Sequence, residues 1–120
     1  MFKNLFGNKN PKLTRETVYK AAWSQLATCY DPEIPINVVA LGLIYDCAVT
    51  PMETGPGFLC AVQMTLTSPS CGMTPYIVKE IREKLQAVPG VTEVDVQLVW
   101  DPPWSIEHMS DEAKLAAGLF

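Results

Sequence analysis

The stretch Phe58-Leu59-Cys60-Ala61-Val62-Gln63-Met64-Thr65-Leu66-Thr67-Ser68-Pro69-Ser70-Cys71-Gly72-Met73-Thr74-Pro75 decides how this chain folds. Phe58, Cys60, Val62, Met64 and Leu66 recur at every second position, the period of a strand with one buried face. Past Pro75 the period changes. Ile77, Ile81, Leu85 and Val88 recur at helical spacing, while Lys79, Glu80, Arg82, Glu83 and Lys84 take the solvated side. Proline suits the first turn of a helix. The pattern therefore predicts a strand over 58–67 and a helix from Thr74 or Pro75 to Ala87, stopped by Pro89-Gly90. Cys71 falls in the turn between them, with Thr67 and Gly72. Unpaired N–H groups and the dipole at a helix N-terminus favour a thiolate there.

Upstream, Thr14 reads as an N-cap, with Leu13 and Val18 spaced as a hydrophobic staple. Val18, Ala22, Leu26 and Cys29 continue a helical stripe, which Asp31-Pro32 ends because a residue before proline avoids the α region. Pro32 and Pro35 bracket an irregular acidic loop, 31–37. After Gly42, Leu43, Tyr45, Cys47 and Val49 alternate with Ile44, Asp46, Ala48 and Thr50, predicting a second strand ahead of the first. The run 51–57 carries two glycines and two prolines and reads as a hairpin loop. Downstream, Val94, Val96, Leu98 and Trp100 alternate with Glu93, Asp95 and Gln97. Asp101-Pro102-Pro103-Trp104 breaks that strand, and Ser110 caps a last helix reaching Ala117, with Gly118 at its end.

The order is helix, strand, strand, helix, strand, helix. A hairpin makes the first two strands antiparallel, and a helical crossover lets the third run parallel to the second. The expected fold is a small α+β sandwich, a three-stranded mixed sheet with helices packed on one face. Residues 13–120 form one domain, and 1–12 read as a flexible tail in which Phe2, Leu5 and Phe6 have helical spacing.

Composition narrows the function. With 48% apolar and 18% charged residues the chain is an ordered globular protein. A formal charge of −4 with nine scattered basic residues argues against nucleic acid as a partner. No apolar run is long enough to span a membrane or to serve as a signal peptide, which places the protein in the cytoplasm with its thiols reduced. Cys29, Cys47 and Cys60 fall in apolar patterns and read as core residues rather than bridges.

No P-loop, G-x-G-x-x-G, H-E-x-x-H, G-x-S-x-G or C-x-x-C occurs. A Cys71–His108 dyad would need a third, unidentified orienting group. Read from position alone, Cys71 is open to two roles, a reactive thiolate or a side chain packed on the helix start. Asp31 and Glu33 are equally open: a pair that binds a cation, or a helix-end hydrogen bond beside a solvated carboxylate. Trp100 and Trp104 bracket a rigid aromatic knob that either covers the core or anchors a partner.

Three separated motifs then fall in a familiar order: Asp31-Pro32-Glu33-Ile34-Pro35-Ile36-Asn37, Leu41-Gly42-Leu43-Ile44-Tyr45, and Met64 through Met73. With Trp100-Asp101-Pro102-Pro103-Trp104 and Met109-Ser110-Asp111-Glu112-Ala113, they resemble the SufT/PaaD-like iron–sulfur assembly family over about residues 14–118. The resemblance implies an accessory factor or adaptor, not an enzyme, acting with the iron–sulfur assembly machinery and apo client proteins. It implies that Cys71 is the functional thiol and tentative metal ligand, with Asp31 and Glu33 in the acidic loop. Iron or a cluster would be held transiently, since one exposed thiol per chain cannot complete a site. A homodimer would offer two thiolates. The alternative expectation is a metal-free adaptor binding through Trp100–Trp104 and the Asp31–Asn37 loop.

Overall fold

The computed structural model describes residues 13–31, 35–67, 72 and 74–118. Helix α1 spans Arg15–Leu26, strands β1 and β2 span Ile44–Pro51 and Phe58–Met64, helix α2 spans Thr74–Gln86, and β3 spans Val91–Leu98. A 3-10 turn at Ile106–His108 and a short helix α3, Asp111–Ala116, complete the chain. The sheet order is β1-β2-β3, with β2 antiparallel to β1 and parallel to β3. This is the expected α+β architecture. The predicted tail, 1–12, lies outside the described residues.

Thr14 caps α1 through a reciprocal pair: its hydroxyl accepts from Thr17 N at 3.2 Å, and the Thr17 hydroxyl accepts from Thr14 N at 3.0 Å. The helix ends at Leu26, earlier than the Asp31-Pro32 signal. Thr28 and Cys29 donate to the Gln25 and Leu26 carbonyls instead, tightening the last turn and still delivering Cys29 to the core.

Val18, Ala22 and Leu26 of α1 and Ile77, Ile81 and Leu85 of α2 are buried against the sheet face carrying Cys47, Val49, Cys60, Val62, Met64 and Val94. Each fully buried Leu, Ile or Val there contributes roughly 1.5–3 kcal/mol. The register pairs Val49 with Cys60 and Cys60 with Val94, so one inner row crosses all three strands. On the other face lie Asp46, Gln63, Asp95 and Gln97, all exposed.

Strict alternation fails at one point in β1. Ile44 pairs with Met64 and Asp46 with Gln63, leaving Tyr45 as an extra residue in a bulge. β2 ends at Met64 rather than Thr67, because Thr65 N turns to the Leu43 carbonyl at 2.8 Å, where β1 has not yet begun. Both sheet edges are capped by helix side chains. Arg15 Nε donates to Val49 O at 2.7 Å, and Arg82 and Gln86 donate to Val94 O and Thr92 O at 3.4 and 3.2 Å.

The segment after β3, residues 99–110, is a strap, a role that chain-breaking prolines alone did not signal. Trp104 Nε1 donates to Leu41 O at 2.6 Å, Tyr45 OH to Pro102 O at 2.8 Å, and Ser110 N to Ala40 O at 2.9 Å. The His108 ring stacks on Tyr45 with centroids 5.5 Å apart, and its Nδ1 accepts from Ser105 N at 3.1 Å. Gly42 makes this closure possible: its φ is +76°, and a Cβ would overlap the His108 carbonyl oxygen.

Gly42→Ala should therefore cost at least ~2 kcal/mol in urea unfolding, well above an exposed Gly→Ala change. A second test concerns Cys29, which donates to Gln25 O at 3.6 Å. Burial first, and then the Glu80 charge, push this thiol from 9.0 up to about 11. The unfolded thiol ionises first, near its ordinary value. The stability this group adds is therefore full below that value and is lost as pH rises toward about 11. Between pH ~8 and ~10.5 the wild type should lose on the order of 1 kcal/mol more than Cys29→Ala.

Candidate functional site

Three chain segments meet at one end of the sheet: the turn region after α1, the exit of β2, and the strap. A series of backbone hydrogen bonds ties them. Val38 N donates to Cys29 O at 2.8 Å, Leu43 N to Val38 O at 3.0 Å, Thr65 N to Leu43 O at 2.8 Å, and Val99 N to Met64 O at 2.8 Å. Asn37 fixes the turn, its Oδ1 accepting from Val39 N at 3.0 Å and Ala40 N at 2.9 Å. Tyr30 and Asn37 form an isolated antiparallel bridge that closes the acidic loop at its base.

Among the described residues the buried polar side chains are two, Asp31 at 5% exposure and Thr65 at 0%. Both lie at this end. Burying a carboxylate is costly without compensation, so Asp31 is placed deliberately by the Tyr30–Asn37 bridge and by Asp31 N donating to Ile36 O at 3.4 Å. Helix α2, thirteen residues long, opens at Thr74, after the β2 exit.

Cys71 and Glu33 lie outside the described residues. Thr67 stands half-buried at the β2 exit. Gly72 is exposed, and among the described residues no atom stands within 4 Å of where its Cβ would be. Trp100 is 44% exposed just past β3, whereas Trp104 is half-buried on the core with its indole N–H used by the strap. His108 is likewise engaged with Ser105 and Tyr45. Among the described residues no three His, Cys, Asp or Glu side chains are grouped to hold a metal ion.

Thr65 is the residue that sequence reasoning missed. Alternation puts it out of phase with Met64 and Leu66, on the solvent side, yet all three are buried. Among the described residues, its Oγ1 is the buried side-chain oxygen with no hydrogen-bond partner. An unpaired buried hydroxyl costs ~1–3 kcal/mol, and few native proteins keep one without a use. Thr65→Val, nearly the same shape, should leave thermal stability unchanged or raise it by up to ~1 kcal/mol; a clear loss in a melting experiment would mean the hydroxyl has a partner.

Residues 20–96 match the family described as iron-sulfur cluster assembly protein. The chain is 42% identical over 94 residues to an Fe-S protein maturation auxiliary factor of Porphyromonas gingivalis, covering 78% of this chain and 85% of that one. It is 43% identical over 89 residues to the Fe-S protein maturation auxiliary factor YitW of Bacillus subtilis, covering 74% and 82%. A crystal structure of a domain of unknown function, DUF59, from Bacillus anthracis superposes with a TM-score of 0.76 at 36% identity, over 88% of this chain and 96% of that one. Sequence match and shared fold together place this chain in the iron-sulfur cluster assembly protein family.

Proposed function

We propose that this protein is an accessory factor in the maturation of iron–sulfur proteins, and that it carries or meets iron or a cluster without turning over a substrate. The observation that carries the reading is the match to auxiliary maturation factors over most of both chains, at about two identical residues in five. The buried Asp31 and the opening of α2 at one end of the sheet support it.

In this reading Cys71 supplies the thiolate, favoured by the N-terminal dipole of α2. Asp31 and Glu33 supply hard oxygen donors suited to ferrous iron, which exchanges more readily on carboxylates than in an all-thiolate site. Thr67 and Gly72 shape the turn. Iron or cluster is cargo, passed between the assembly machinery and apo client proteins in the cytoplasm. Two copies of the chain would present two such thiolates.

Exposed aromatics favour a second reading, a metal-free adaptor. Trp100, Tyr30 and Tyr76 are 44%, 52% and 68% exposed, and large exposed rings often anchor partners. Trp100→Ala tests this cleanly, whereas changing Trp104 would also release the strap.

The deciding assay measures iron and acid-labile sulfide per chain on protein purified without oxygen. Cargo carriage requires that wild-type protein bind iron, with or without sulfide, and that Cys71→Ser lose most of it and slow client maturation in cells several-fold. Wild-type protein that takes up no iron on reconstitution, with client binding abolished by Trp100→Ala alone, would replace carriage with the adaptor reading.

A further inference from the structure

The sheet face turned away from the helices ends in a groove of about 260 Å³ beside the β1–β2 hairpin. Thr50, Leu59 and Glu93 stand side by side across the three strands there, since the register pairs Thr50 with Leu59 and Leu59 with Glu93. Leu59, Pro51 and Met52 give the groove an apolar lining, and Glu53 and Glu93 add two carboxylates. Both glutamates are exposed, and neither enters a salt bridge among the described residues. Asp46 and Asp95 continue the negative charge along the same face, and the three strands contain no Lys or Arg. Such a groove suits a segment that brings apolar rings and ammonium groups together.

The chain supplies one itself. Residues 1–12 hold Phe2, Leu5 and Phe6, with Lys3, Lys9 and Lys12 and no Asp or Glu. Leu13, where the described chain starts, lies beside Gly90: a Cβ on Gly90 would stand 3.5 Å from Leu13 Cδ1. Gly90 O accepts from Phe58 N at 2.8 Å, and Phe58 directly precedes Leu59 of the groove. The N-terminal segment therefore departs from the end of the sheet that carries the groove. The stretch 7–12 spans at most about 20 Å, ample to pass round a sheet whose packed layers lie ~10 Å apart. We propose that residues 2–6 dock in this groove of their own chain, with Phe2 and Phe6 on Leu59 and Met52 and Lys3 between Glu53 and Glu93. Lys9 and Lys12 add attraction toward the same acidic face. A tether of a few residues gives an effective concentration on the order of millimolar, so a contact too weak to hold a separate peptide is still well populated. This docking gives the sheet a second covered face, at the end opposite the β2 exit, and does not rest on the iron reading.

The test places a nitroxide on Asn4→Cys in the full Cys71→Ser chain, whose other thiols, Cys29, Cys47 and Cys60, are buried. The amide NMR signals of Met52, Glu53, Leu59 and Glu93 should lose several-fold more intensity than that of Gly90, at the root of the segment. Raising the salt from about 0.05 to about 0.5 M should restore part of the lost intensity, because exposed charges are screened. Glu53→Lys with Glu93→Lys, and separately Phe2→Ser with Phe6→Ser, should each restore most of it. Broadening that is strongest at Gly90 and fades with distance from Leu13 overturns the proposal, as does broadening that neither pair of substitutions reduces. Equal broadening of isotope-labelled chains without nitroxide, mixed with unlabelled chains that carry it, would put the segment on a second copy and overturn docking within one chain. The first measurement changes nothing in the groove, so it decides even if the charge-reversed protein fails to fold.

Discussion

One hydrogen bond, from Thr65 N to the Leu43 carbonyl, is the joint on which this end of the molecule depends. It pins the β2 exit to the chain entering β1. Leu43 is in turn bonded to Val38, and Val38 to Cys29 at the end of α1. Segments far apart in sequence thus share one rigid backbone frame. Asp31 is buried beside this frame, with its backbone N–H donating to Ile36 O. The strap locks the frame from outside, and it can do so only because Gly42 lets the His108 backbone come close.

Division of labour follows from the fold. The helix-covered face is apolar and closely packed, with Val49, Cys60 and Val94 in register across the strands. It supplies stability and leaves the loops free to carry chemistry. Membership in the iron–sulfur assembly family fits such a design, where a small scaffold presents a few polar groups at one edge of a sheet.

Most of the fold was legible in the sequence because its elements are strongly periodic. The stripe Ile77, Ile81, Leu85 and the β3 alternation needed no tertiary information. Thr14 and Ser110 announced their caps, and both accept the expected backbone hydrogen bonds. What stayed hidden was non-local. The bulge at Tyr45 coincides with the hydroxyl's reach to the strap at Pro102 O, and past the end of α1 Thr28 and Cys29 N–H groups bond the Gln25 and Leu26 carbonyls. Burial of Thr65 runs against its phase in the strand pattern, since alternation describes a sheet but not what lies across its end. Asp31 was readable as a candidate, though nothing in its neighbours disclosed that it is buried. Trp104 looked like a free aromatic knob, because the carbonyl it bonds belongs to Leu41, 63 positions away.

The helix side chains that cap the sheet edges bear on how copies of this protein can meet. A guanidinium lies on the outer carbonyl of β1, while a second guanidinium and an amide lie on those of β3. Neither edge offers a clean row of backbone groups to another strand, and a charge stranded there would have to be displaced first. Growth of the sheet from one copy into the next is disfavoured at both ends, which protects the chain from edge-to-edge aggregation. Any symmetric pair would have to be built from loops, helices or the solvent-facing side of the sheet, where Asp46 and Asp95 would set like charges against each other.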